Sequence, residues 1–128
     1  MSTSLSAGIV TDDVDELIAF YTAGLGFAVE STSQFPQGTV VRLRRDEARC
    51  KLYAPAGGAT RPSRPDPWFR DAGFAYAALH VDDVDAIATR AADAGASVLT
   101  PPTSHRPGAR FALITDPQGN VWELLSET

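Results

Sequence analysis

An internal disulfide is excluded at once, because Cys50 is the only cysteine in the chain. His80 and His105 are the only histidines, too few soft donors with one thiol to build a zinc site. No apolar run reaches the roughly 18 residues of a membrane span, so no membrane partner is expected. Positive charge is scarce as well. Eleven Lys and Arg against 16 Asp and Glu leave a net charge of −5, which works against a nucleic-acid partner. Met1-Ser2-Thr3-Ser4 has neither the basic nor the apolar part of a secretory leader, so a reducing cytoplasm is the expected location. A Gly-rich phosphate loop, a Ser-His-Asp set and a nucleophile elbow are all missing.

What is present is an internal repeat. Residues 5–11 form a short apolar segment that suits a strand, and Asp13 follows with Glu16 three positions on, a capping-box arrangement. Val14, Leu17, Ile18 and Tyr21 then recur at helical spacing, and Gly24 and Gly26 end the helix. Segments 27–33, 39–45 and 49–53 read as strands, which completes a β-α-β-β-β unit. Seventy residues later Asp12-Asp13-Val14-Asp15 returns as Asp82-Asp83-Val84-Asp85. Strand 74–81 precedes that second helix, Val84, Ile87, Ala88 and Ala91 give its apolar face, and Gly95 closes it. Strands are expected at 97–100, 111–114 and 121–125, with a proline-rich loop over 101–108 that holds His105. The period is too long for a solenoid. Two half-domains that cover one another fit better, with module one over about 5–54 and module two over about 73–127.

The linker at about 55–72 is rich in proline and glycine and carries Trp68-Phe69 near its end. A crossover of this length is either a tie between halves or a functional lid, with Trp68 then covering a pocket. Near the C-terminus, Asp116-Pro117-Gln118-Gly119-Asn120 supplies turn chemistry between two apolar runs and so predicts a hairpin. Its second strand puts Glu123 on the face opposite Trp122 and Leu124.

The paired units, the Asp-Val-Asp of each, Phe20-Tyr21 with Leu25-Gly26-Phe27, and the Asp-Pro-Gln-Gly-Asn turn before a Glu-Leu strand resemble one family. That family is the vicinal oxygen chelate superfamily, which includes glyoxalase I, bleomycin-resistance proteins and extradiol dioxygenases. The resemblance implies an α+β fold in which two β-α-β-β-β modules form a cupped, incompletely closed barrel, and it suggests a homodimer. Its enzymes hold a divalent metal through the first and last strands of each unit. The corresponding positions here are Ser6, Lys51, Tyr76 and Glu123, of which Glu123 alone matches the enzymes' pattern. A lysine ammonium has no lone pair, and neutral hydroxyls are weak ligands, so the expectation is no metal and no cofactor.

Residues 74, 76, 78 and 80 alternate onto one strand face, which sets His80 beside Tyr76. Cys50 and Trp122 have the opposite parity from Lys51 and Glu123 and are expected in the core. Lys51 and Glu123 have two open readings: a salt bridge between the halves, or contact with a ligand. An aromatic cup with a few polar groups is what a small-molecule pocket needs. Ser6, Lys51, Tyr53, Trp68, Tyr76, His80, Phe111 and Glu123 are the candidate ligand-binding residues. The favoured function is metal-free sequestration of an aromatic or amphipathic molecule, of the bleomycin-resistance kind that the resemblance implies. The alternatives are a glyoxalase- or dioxygenase-like enzyme using Glu123 as base or ligand, and an inert module whose cavity its own side chains fill.

Overall fold

An aspartate starts each helix. In the computed structural model, which describes residues 2–127, Asp13 precedes α1 (Val14–Ala23) and accepts from the Glu16 backbone N–H at 3.2 Å. Asp83 precedes α2 (Val84–Asp93) and accepts from the Ala86 N–H at 3.0 Å. The repeated Asp of the sequence is therefore a repeated N-cap, satisfying a backbone donor that the helix leaves unpaired. The reciprocal half of the capping box is absent at Asp13, whose N–H goes to Thr11 Oγ1 at 3.0 Å. Glu16 is free to accept from Gln118 Nε2 at 3.0 Å instead. At the other end of α2, Gly95 takes a φ of +115°, and the N–H groups of Gly95 and Ala96 bond Ala92 O and Ala91 O. That is a Schellman closure, with Ala94 as the C-cap and Gly95 just beyond it.

The strands are β1 (Ser6–Val10), β2 (Ala28–Phe35), β3 (Gly38–Arg45), β4 (Ala48–Pro55), β5 (Tyr76–His80), β6 (Ser97–Arg106), β7 (Ala109–Thr115) and β8 (Val121–Glu127). They form two four-stranded sheets, ordered β1-β4-β3-β2 and β5-β8-β7-β6. In each, the strand before the helix runs parallel to the last strand, and the other pairings are antiparallel. The fold is α+β with two matching β-α-β-β-β units, and the sheets do not close into one barrel.

Strand alternation decides what is buried. Cys50 and Leu52 of β4 and Trp122 and Leu124 of β8 point to the helices. There they join Leu17, Phe20 and Tyr21 of α1 and Val84, Ile87, Ala88 and Ala91 of α2 in one core. Each large apolar side chain so buried contributes about 1.5–3 kcal/mol. Residues of opposite parity, such as Lys51, Tyr76 and Glu123, lie on the faces that the helices leave open.

The proline-rich stretch departs from expectation. Residues 101–106 continue β6 rather than forming a loop, and the His105 ring meets Phe111 at 5.2 Å. β6 is the edge of its sheet, where a proline's missing N–H breaks no ladder. Register shifts between Val98 and Thr100, Thr100 and Thr103, and Ser104 and Arg106 absorb the irregular backbone.

A candidate ligand groove beneath the linker

The turn at residues 116–120 is built around a buried carboxylate. Asp116 Oδ1 accepts from the N–H groups of Gln118 at 2.9 Å and Asn120 at 3.0 Å. Its Oδ2 accepts from Asn120 Nδ2 at 2.8 Å and from the Tyr21 hydroxyl at 2.6 Å. Tyr21 in turn accepts from Trp122 Nε1 at 2.8 Å, so every polar group of this trio has a partner. Burial raises the Tyr21 pKa well above its ordinary value, and the Asp116 carboxylate adds to the shift, so the hydroxyl stays a donor. Gln118 carries the turn across to the other unit. Thr11 Oγ1 donates to its Oε1 at 2.7 Å, and its Nε2 donates to Asp13 O at 3.0 Å.

The outer side of the same turn seats the linker. Arg64 donates through Nε to Gln118 O at 3.1 Å and through Nη2 to Asn120 Oδ1 at 3.2 Å. Its stem crosses Gly119, where an added Cβ would lie 2.8 Å from Arg64 Cγ. Gly119 also has a φ of +87°, so backbone and stem both demand glycine.

Below this anchor lies a partly open groove of about 850 Å³. Residues 7–9 of β1, Tyr76 of β5, Val121 of β8 and Thr115 of β7 line it, and the linker covers it. Trp68 and Tyr76 meet edge-on at 5.7 Å, and Trp68 meets Phe69 at 5.4 Å. Phe69 and Phe74 add to the wall, whose ionisable groups are Arg64, Asp66 and Tyr76. Such a lining can hold a flat apolar body and fix its orientation through a few polar contacts.

The candidate residues fall into three groups. Trp68 and Tyr76 share the groove. Glu123 lies one step further along the same open face, beside Ala78 and Leu113 in register, with His80 and Phe111 beyond it flanking Leu125. Ser6, Lys51 and Tyr53 occupy the open face of the other sheet. There Lys51 pairs in register with Gly8 and Arg42, and the Tyr53 hydroxyl donates to Gln37 O at 3.0 Å. No ion pair joins Lys51 to Glu123 among the described residues, so the salt-bridge reading does not hold within the chain. Arg64 carries no signal in the sequence that marks it as part of a site. Pro65 and Pro67 beside it read as linker, and its contact with the distant turn is what the structure adds.

The four positions at which the resemblance places metal ligands do not suit a divalent ion. Lys51 offers no lone pair, Ser6 and Tyr76 are neutral hydroxyls, and Glu123 is one carboxylate. No three His, Cys, Asp or Glu side chains gather in one place among the described residues.

The family described as the Glyoxalase/Bleomycin resistance protein/Dioxygenase superfamily matches residues 4–124. A protein of Mycobacterium tuberculosis (strain CDC 1551 / Oshkosh) described as "Putative glyoxylase CFP32" is 34% identical over 118 residues. That match takes in 91% of this chain and 41% of the relative, so the chain spans less than half of that relative's length. Among solved structures, a glyoxylase/bleomycin resistance protein/dioxygenase domain from Frankia sp. EAN1pec superposes with a TM-score of 0.79 at 18% identity, over 100% of this chain and 93% of its own. UcmS2 gives 0.71 at 26% identity over 98% of both chains. Glyoxalase I from Zea mays gives 0.76 at 23% identity, over 94% of this chain and 43% of its own.

Proposed function

The chain belongs to the Glyoxalase/Bleomycin resistance protein/Dioxygenase superfamily, and within it we propose a small-molecule-binding protein of the bleomycin-resistance kind. It sequesters an aromatic or amphipathic ligand without a metal, in the cytoplasm and as a homodimer. One observation carries this reading: the groove wall is aromatic, with Trp68 packed edge-on against Tyr76 along it. Tyr76 is 49% exposed, so a ligand can reach it. The groove holds no nucleophile paired with a base. In this reading Ser6, Lys51, Tyr53, His80, Phe111 and Glu123 are further ligand contacts, from the open faces of the two sheets.

A second reading has support from the relatives, one of which bears a glyoxylase description. In it Glu123, half-buried between Ala78 and Leu113, acts as general base or as a metal ligand. Native mass spectrometry with metal analysis on protein purified from cells separates the two. A bound organic molecule without metal supports sequestration. One divalent metal per chain supports the enzyme, and an empty groove supports an inert module.

A further inference from the structure

The groove wall carries a cation as well as aromatic rings. Arg64 reaches its wall with the guanidinium plane fixed at two points, by Gln118 O and by Asn120 Oδ1. Both acceptors are neutral, and Nη1 makes no hydrogen bond among the described residues. No carboxylate among the described residues lies within ion-pair distance of it. Arg44, Arg61, Arg70, Arg106 and Arg110 each hold an acidic partner. Arg64 is thus oriented but not neutralised. Asp66 also borders the groove, and its carboxylate acts on Arg70 too, whose pKa Asp71 chiefly and Asp66 secondarily raise.

A guanidinium held in one plane with donors to spare is matched to a planar anion, above all a carboxylate. Trp68 and Tyr76 present ring surface on the same groove. We infer that the groove takes an aromatic carboxylate, its anion on Arg64 and its ring against Trp68 and Tyr76. This rests on the groove being the ligand site and names the class of ligand. Gly119 belongs to the same device, because only a residue without Cβ lets the Arg64 stem lie across the turn.

Titration calorimetry with naphthalene-2-carboxylate and its neutral isostere naphthalene-2-carboxamide tests the inference. The intact protein should bind the carboxylate about tenfold or more tightly than the carboxamide. Arg64→Gln should bring the ratio to near one. Trp68→Ala should weaken both probes several-fold and keep the ratio. Should Arg64→Gln fail to fold, Arg64→Lys keeps the charge without the fork, and the ratio should fall between the two. Equal affinity of the intact protein for both probes overturns the anion site and leaves the groove standing. A preference that survives in the Arg64 variant places the anion elsewhere and also overturns it. Binding of neither probe overturns both the inference and the ligand-site reading.

Discussion

The Tyr21 hydroxyl donates to Asp116 Oδ2 at 2.6 Å across 95 positions of sequence, joining the first helix to the turn of the last hairpin. Both residues are essentially inaccessible, Asp116 at 2%. The bond also positions the turn on which Arg64 rests, so the core and the groove wall share one polar centre.

Tyr21→Phe removes a donor from a buried carboxylate and leaves Trp122 Nε1 without its acceptor. A hydrogen bond to a charged group contributes about 1.5–3 kcal/mol, and a stranded buried donor adds to the loss. Urea melts should show a destabilisation of about 2 kcal/mol or more with an unchanged m-value. A loss below about 0.5 kcal/mol would mean that the trio is dispensable.

Alkaline pH should weaken the fold. Burial pushes the Cys50 thiol from 9.0 up to about 12, the Asp116 carboxylate adding to the shift, and Tyr21 is likewise raised above 10.0. Both folded-state values exceed the unfolded ones, so the unfolded chain loses protons first. The stability of these groups is fully present below pH 9.0 and declines as pH rises toward about 12. Each group contributes a slope of up to about 1.4 kcal/mol per pH unit in its own window. Melts at pH 8, 9 and 10 should fall progressively, and Cys50→Ala should flatten the first part of that decline. An intact protein equally stable at pH 8 and pH 10.5 would contradict the burial argument.

Much of this arrangement is legible in sequence. Asp13 and Asp83 announce both caps, and the 3.6-residue spacing of Val14, Leu17 and Tyr21 announces the first helix. Strand parity, with the repeat and the family resemblance fixing which face is open, sends Trp122 and Cys50 inward and Tyr76 outward. Parity says nothing of polar partners, so the burial of Tyr21 was readable while its bond to Asp116 was not. Nor could Pro101 and Pro102 be read as strand, since an edge strand tolerates what an inner one cannot. The groove was half visible. Trp68 stood out as an aromatic in a linker, but Arg64 reaches the groove through a backbone carbonyl 54 positions away.

Metal should leave stability untouched. With Lys51 among the four positions and Glu123 the one carboxylate, Ni, Zn, Mn or Fe has no adequate donor set. A tight site would raise the melting temperature by mass action. Scans with each ion and with chelator should coincide, and one metal per chain surviving dialysis would refute this.

Self-association is expected. β1 and β5 each pair on one side only, and Leu5, Val10 and Phe74 stand exposed on or beside them. Sedimentation equilibrium at micromolar concentration should return twice the 13.6 kDa of one chain. The single-chain mass would count against a dimer.

Tyr76 and Trp122 both line the groove but differ in what they contribute to stability. They sit in adjacent strands on opposite faces, Trp122 4% exposed and Tyr76 49% exposed. Trp122→Ala deletes a large core side chain and the donor to Tyr21, and should cost about 3–5 kcal/mol. Tyr76→Ala opens a space that water already reaches, so its cost should be clearly smaller. It removes the ring that Trp68 meets at 5.7 Å, and with it one wall of the groove. An aromatic partner contributes about 0.5–1.5 kcal/mol beyond its buried area, so binding of an aromatic ligand should fall at least several-fold. Paired denaturant melts and naphthalene-2-carboxylate titrations read both effects. Were Tyr76→Ala the more damaging to the fold while affinity stayed constant, the ring would be structural and the ligand would have to lie elsewhere, on the open face around Lys51 or Glu123.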